Sequence, residues 1–228
     1  MAYVIQPPAM PTVPVQGTTA VFPIHRIYCV GRNYAAHAIE MGHDPDREPP
    51  FFFQKNPDTI VPDGGVFPYP SQSHDVHFEI EMVVALSTGG KDIPVAHALD
   101  HVFGYAVGID MTRRDLQEEA KKMGRPWEVG KAFEYASPCS EIVPASHTGH
   151  PDRGAVWLRV NGNLRQKGDL NQLIWKVPEI ISYLSSLFTL APGDLIYSGT
   201  PAGVGPTVPG DVLHGGVDEV GEITIKVQ

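Results

Sequence analysis

The chain has almost no cysteine, no run of basic residues and no long apolar stretch. Its two cysteines, Cys29 and Cys139, lie far apart in 228 residues and form no CxxC pattern. That excludes a disulfide framework and a cysteine zinc site. It points to a reducing, cytoplasmic setting with both thiols as small core filler. Lys and Arg number 17 against 26 Asp and Glu, a formal charge of −9. With no Lys/Arg-rich segment and a negative balance, nucleic acid is not expected as a partner. No apolar run approaches the roughly 20 residues that span a bilayer. The N-terminus lacks a basic region followed by an apolar one, so neither a membrane span nor a secretory signal is expected. The histidines show no zinc-site spacing.

What is present is turn chemistry and alternating apolar segments. The 23 glycines and 22 prolines imply many turns and short elements, and 42% hydrophobic content suffices for one sizeable core. Residues 1–23, with Pro7, Pro8, Pro11, Pro14 and Pro23, read as a Pro-rich N-terminal arm, ordered only if it packs on the body. Residues 24–228 read as one catalytic domain. About ten strands and three or four short helices are expected. "IHRIYCVG", "VHFEIEMVVAL" and "HVFGYAVGID" each read as a single strand. "RNYAAHAIEMG" reads as a short helix capped by Asn33 and ended by Gly42. "TRRDLQEEAKKMG" reads as a helix with Thr112 and Asp115 as a capping box and Gly124 as its stop. Asn161-Gly162 predicts a hairpin turn, and "VPEIISYLSSLFTL" an amphipathic helix with Pro178 in its first turn. Long helices alternating with strands are missing. The expected class is therefore α+β and β-rich, a large mixed sheet or barrel-like roll, rather than a doubly wound fold.

Glu79 and Glu81 stand i, i+2 in the alternating segment and share a strand face, their Cα atoms about 6–7 Å apart. Asp110 ends another apolar strand. Three carboxylates on rigid strands can hold a hard divalent cation and leave positions open for substrate and water. Glu-x-Glu alone also fits two solvated acids on an exposed strand, and Asp110 fits a helix-flanking acid. His37 and Glu40, at i, i+3 on the first helix, are neighbours on one face. A carboxylate orients an imidazole and raises its basicity, as a general base requires; a surface pair without a role has the same spacing. Arg113, Arg114, Gln117 and Lys131 form a cationic and polar group. The "SGTPAGVG" loop, with Ser198, Thr200, Gly203 and Gly205, offers N–H groups and a hydroxyl to an anion or carbonyl oxygen, though such turns are usually only turns. Tyr34 and Phe52 could line a pocket. Trp127, Trp157 and Trp175 read as core or interface residues, and His77 as structural at the site's edge.

The order of six segments carries a resemblance: "VGRNYAAHAIEMG", "PPFFFQK", "HFEIEMVV", "GYAVGIDMTRRDLQ", "GKAFEYASP" and "APGDLIYSGTPAGVG", spanning residues 26–205. Together they resemble the fumarylacetoacetate hydrolase family. The resemblance implies the mixed β-roll of that family, a homodimer, and a Mg²⁺ or Mn²⁺ site, with Ca²⁺ also compatible with oxygen ligands. It makes Glu79, Glu81 and Asp110 metal ligands and His37 and Glu40 a water-activating pair on a lid helix. Lys131 becomes a catalytic contact, and Arg32, Gln117 and Thr200 become substrate contacts. The implied reaction is metal-dependent hydrolysis of the C–C bond of a small 2,4-diketo acid, such as fumarylpyruvate from gentisate breakdown. Simple acylpyruvates, decarboxylation of oxaloacetate and isomerisation of a 2-oxo acid are alternatives on the same scaffold. A non-catalytic binding protein could dispense with any acid of the triad, whereas all three are present.

Overall fold

The apolar segments pair into four sheets in this computed structural model, which describes residues 3–40 and 48–228. The largest sheet runs in the order β4 (Phe51–Lys55), β3 (Arg26–Gly31), β15 (Asp194–Tyr197), β8 (Ile80–Leu86), β9 (Val102–Ile109), β11 (Ser137–Cys139) and β5 (Ile60–Pro62), with β12 (Val143–Pro144) also paired to β9. It is mixed: β15 lies parallel to β3 and β11 parallel to β5, and the other pairs are antiparallel. β8 and β9 are covered on both faces, which is why their sequences are nearly unbroken apolar runs.

Each face of this sheet has its own core. Ile80, Met82, Val84, Val107 and Ile109 join the larger one, with Ile180, Ile181 and Leu184 of helix α5 (Val177–Leu187). Its other wall is a five-stranded sheet: β14 (Asn163–Asp169), β13 (Ala155–Val160), β17 (Val212–Val217), β18 (Gly221–Val227) and β6 (Val66–Phe67). Cys29, Val83, Ala85, Ala106, Cys139 and Tyr197 form the smaller core on the opposite face, and both thiols are free and buried there. Val13 and Phe22 close that core. They come from a hairpin of β1 (Thr12–Pro14) and β2 (Val21–Pro23), so this part of the Pro-rich stretch packs on the body. Burying each such side chain is worth about 1.5–3 kcal/mol. Ile142 N–H donates to Pro14 O and Gln16 N–H to Ile142 O, fixing the hairpin to the sheet.

The β-rich mixed roll with few short helices is as expected from the sequence. The Asn161-Gly162 turn has φ of 50° and 81°, as a two-residue hairpin turn requires. Helix α2 (Arg114–Met123) ends on Gly124 at φ 63°. Three local expectations are corrected. "VHFEIEMVVAL" is two strands: β7 (Val76–Phe78) pairs with β10 (Thr112–Arg113) and β16 (Gly205–Thr207) in a three-stranded sheet, and the chain changes sheets at Glu79. Asn33 does not cap α1 (Ala35–Glu40). Its amide donates to Trp175 O and Ser198 O and accepts from Trp175 N–H, tying the turn after β3 to two distant segments. Thr112 does not cap α2 either, because its hydroxyl is drawn into the acidic site by Lys131 and Glu79. Gly42 lies outside the described residues. Two four-residue helices, α3 (Glu128–Lys131) and α4 (Ala145–Thr148), complete the fold.

Candidate metal centre and active site

The sheet change at Glu79 builds the centre. Ile80 pairs with Ile109 in the antiparallel β8–β9 ladder, so Glu79 and Asp110 face each other just past its end, and Asp110 N–H donates to Glu79 O at 2.8 Å. Glu81 follows on the same side. Glu79, Glu81 and Asp110 are all buried, and each offers an oxygen within 4.8 Å of the others; they form the one such cluster among the described residues.

Three buried carboxylates at that spacing need compensating charge. Lys131 donates to Glu79 Oε2 (3.0 Å), Asp110 Oδ2 (2.8 Å) and Thr112 Oγ1 (2.6 Å), which uses its three N–H groups. Arg114 bonds Glu79 Oε1 and donates to Gln117 Oε1 (2.6 Å). Lys55 lies 2.8 Å from Asp110 Oδ1, but its N–H groups serve Met111 O, Lys131 O and Ala136 O. The Lys55–Asp110 contact is thus an ion pair without a hydrogen bond, and Asp110 Oδ1 is a buried oxygen that no donor satisfies. Glu81 has one N–H, from Gly199 at 2.7 Å. Burial, with Asp110 and Glu79 behind it, pushes the Glu81 carboxyl well above the usual carboxylate range. Burial acts the same way on Glu79, but Lys131, Arg114 and His37 outweigh it and hold that carboxyl low. An unsatisfied oxygen and a carboxylate costly to ionise, in an oxygen-only donor set, fit a hard divalent cation.

His37 and Glu40 stand over this cluster on α1. His37 is buried, with Nδ1 3.3 Å from Glu40 Oε2. Both Glu40 oxygens accept from Gly203 N–H at 3.1 Å. Burial pushes the imidazole below its ordinary value, against the opposing pull of Glu79 and Glu40. The "SGTPAGVG" loop therefore gives two of its N–H groups to protein carboxylates, Gly199 to Glu81 and Gly203 to Glu40, and Ser198 N–H to Met82 O. Thr200 lines the cavity, but its hydroxyl donates to Ile80 O (2.8 Å) and accepts from Gln166 (2.8 Å).

One cavity brings together every residue expected at the site except Glu40: Arg32, His37, Glu79, Glu81, Asp110, Gln117, Lys131 and Thr200. Sequence reasoning missed others. Alternation along β4 turns Phe51 and Phe53 to the cavity, whereas Phe52 packs on the main core, and Tyr34 is a core residue. Trp127 lines the cavity instead of filling a core. Lys55, at the end of "FFFQK", was not singled out and is fully enclosed. Lys121 also lines the cavity; Arg114, Gln117 and Lys121, at i, i+3 and i+7, mark one helix face, a spacing that could have revealed it. His77 sits one step back: Asp75 Oδ1 accepts from its Nε2 (2.9 Å) and its Nδ1 accepts from Arg114 Nε (3.4 Å), so it steadies Arg114.

The family model for the fumarylacetoacetate (FAA) hydrolase C-terminal domain matches residues 26–228, and the chain belongs to this family. The crystal structure of fumarylpyruvate hydrolase from Pseudomonas aeruginosa, in complex with Mn²⁺ and pyruvate, is 51% identical, with a TM-score of 0.97 over 99% of both chains. The fumarylpyruvate hydrolase of a Ralstonia species is 44% identical over 82% of this chain and 98% of its own length. The mitochondrial oxaloacetate tautomerase of Mus musculus is also 44% identical, over 89% of this chain and 91% of its own.

Proposed function

We propose that the chain is a metal-dependent hydrolase that cleaves the C3–C4 bond of a 2,4-diketo acid, fumarylpyruvate first among them, to fumarate and pyruvate. The observation that carries this reading is the convergence of three buried carboxylates and the buried His37 in one cavity, with Glu40 held against the imidazole from its rim. Glu79, Glu81 and Asp110 hold the ion, Mg²⁺ or Mn²⁺ before Ca²⁺. When bound, it would supply a Lewis acid that lowers the cost of negative charge on the departing three-carbon fragment.

The chain's own residues supply the rest. Glu40, fixed by Gly203, orients His37, and His37 takes a proton from water as the water oxygen bonds to C4. Lys131 places a buried positive charge beside the oxyanion that forms on C4. The C3–C4 bond then breaks with its electron pair passing to C3, and a proton added at C3 gives the methyl group of pyruvate. Arg32 and Gln117 line the cavity as substrate contacts, and Thr200 holds the β8 end against Gln166. The Ralstonia and Pseudomonas relatives support this substrate. The oxaloacetate tautomerase supports a second reading, oxaloacetate chemistry at the same carboxylates, which needs no attacking water. The His37–Glu40 pair favours hydrolysis. Incubation with Mg²⁺ and fumarylpyruvate should give fumarate and pyruvate in equal amounts as the diketo absorbance decays; turnover of oxaloacetate alone would replace this reading with the second. The family likeness also supports a homodimer, a cytoplasmic setting and a place in gentisate-type catabolism. Gel filtration at twice the 24.8 kDa chain mass checks the dimer.

A further inference from the structure

Two of the cavity's cations take no part in holding the carboxylates. Arg114 and Lys131 are hydrogen-bonded to the acidic cluster. Arg32 and Lys121 make no hydrogen bond or ion pair with any carboxylate among the described residues. Instead they bracket a pair of rings. The Arg32 guanidinium lies 5.2 Å from the Phe51 ring, Phe51 meets Trp127 edge-on at 5.3 Å, and the Lys121 ammonium lies 5.1 Å from the Trp127 ring. All four residues line the cavity that contains the three acids. Arg32 is held at φ 56°, a left-handed conformation uncommon for arginine, at the turn that brings it there.

The cavity as a whole is short of an anion. Four cationic side chains and three carboxylates line it, a surplus of one positive charge that a divalent ion raises to three. Lys121 registers the crowding: burial first, then Arg114 and Arg32, push its ammonium down to about 8. A half-buried lysine kept among like charges is costly unless an anion arrives to share the site. The ring pair between the two cations, packed edge to face, offers an apolar surface to the carbon chain of an acyl arm.

We propose that Lys121, with Arg32 across the Phe51–Trp127 wall, binds the terminal carboxylate of the substrate's acyl arm, so that the site selects dicarboxylic 2,4-diketo acids over acylpyruvates that end in an alkyl group. This rests on the reading above, with the pyruvyl end at the acidic cluster. Lys121 then sets specificity and takes no part in bond cleavage.

The test compares fumarylpyruvate with acetylpyruvate in the Mg²⁺-loaded enzyme and in Lys121→Met and Lys121→Arg. Loss of one charge-assisted hydrogen bond should cut the kcat/KM preference for fumarylpyruvate by about 10- to 100-fold in Lys121→Met, mainly through KM. Lys121→Arg should keep most of it. An equal fall with both substrates, or no fall, overturns the proposal. Binding of fumarate against crotonate, which carries a methyl in place of one carboxylate, gives a readout free of turnover. Fumarate should bind at least about 10-fold tighter, and Lys121→Met should erase the difference; equal binding of the two acids by the parent enzyme overturns the proposal. Failure to cleave either diketo acid would instead sink the hydrolase reading, with the two-acid binding comparison still deciding the role of Lys121.

Discussion

Glu79, Glu81 and Asp110 sit at the end of a ladder buried on both faces, while His37 and Glu40 ride on a six-residue helix. The acids are fixed by β8, β9, Lys131, Arg114 and Lys55. The helix pair is fixed by Gly203, and the Glu40 side chain is 35% exposed. Holding a cation demands stiffness, because ligand positions must not spread under mutual repulsion. Activating water demands access, because water and product must pass. On the proposed function, the two tasks fall to a fully buried acidic layer and to a helix pair that reaches solvent through Glu40.

The largest expected effect tests the rigid layer alone. Removal of divalent ions by a chelator should abolish turnover, and Mg²⁺ or Mn²⁺ should restore it. The ion should also raise the melting temperature, because it binds the folded carboxylate cluster and not the unfolded chain. Full activity in metal-free enzyme would remove the cation from the scheme.

Next, His37→Ala should lower kcat by about 10²–10⁴-fold, the size of general-base catalysis. It should leave the Mg²⁺-induced rise in melting temperature in place. If that rise disappears with the imidazole, the two layers are not separable.

Lys55→Met sharpens the comparison from the other side. It removes the cation beside Asp110 and leaves three carbonyls without their donor. Urea unfolding should show a loss of about 3–5 kcal/mol, as for other broken buried pairs. A stability within experimental error of the parent would mean that Lys55 is not needed to hold the acidic layer.

The smallest effect concerns pH. The His37 pKa is lowered by burial, so the neutral, proton-accepting form persists below the ordinary imidazole value of about 6.5. Activity should therefore be present above this lowered pKa and fall as pH drops through it, with an acid limb of kcat/KM below about 6.5. Glu40 raises the His37 value, so Glu40→Gln should move the limb lower still and reduce kcat by about 10-fold, as loss of an orienting partner does. A limb that moves upward in Glu40→Gln would show that another group is being titrated.

Much of the acidic layer was legible in the sequence because it obeys simple periodicities. Glu79 and Glu81 share a parity, and Asp110 ends an apolar run. The break at Glu79 was not legible, because alternation continues through it; only the partners of β7 and β8, far along the chain, reveal that the sheet changes there. Phe51 and Phe53 were missed for Phe52 by one residue of parity, which β3 sets. Asn33 and Thr112 carried sound local capping signals. Tertiary partners, Trp175 and Ser198 for one and Lys131 and Glu79 for the other, outcompeted the helix ends. Lys55 and Lys121 carried no sequence signal of their own, since burial of a lysine depends on what the rest of the chain places over it.

The turn from Ser198 to Gly205 grips the acid Glu81 with one amide and the helix acid Glu40 with another, four residues apart. It also runs so close to Arg165 that a Cβ on Gly203 would come within 2.2 Å of the Arg165 carbonyl oxygen. Any attempt to admit bulkier acyl groups by enlarging this turn would therefore slacken the hold on the ion as it freed the helix. Room for a larger substrate is better carved from the aromatic wall at Phe51 and Trp127, where the shape of the acyl pocket can change while ion affinity is left alone.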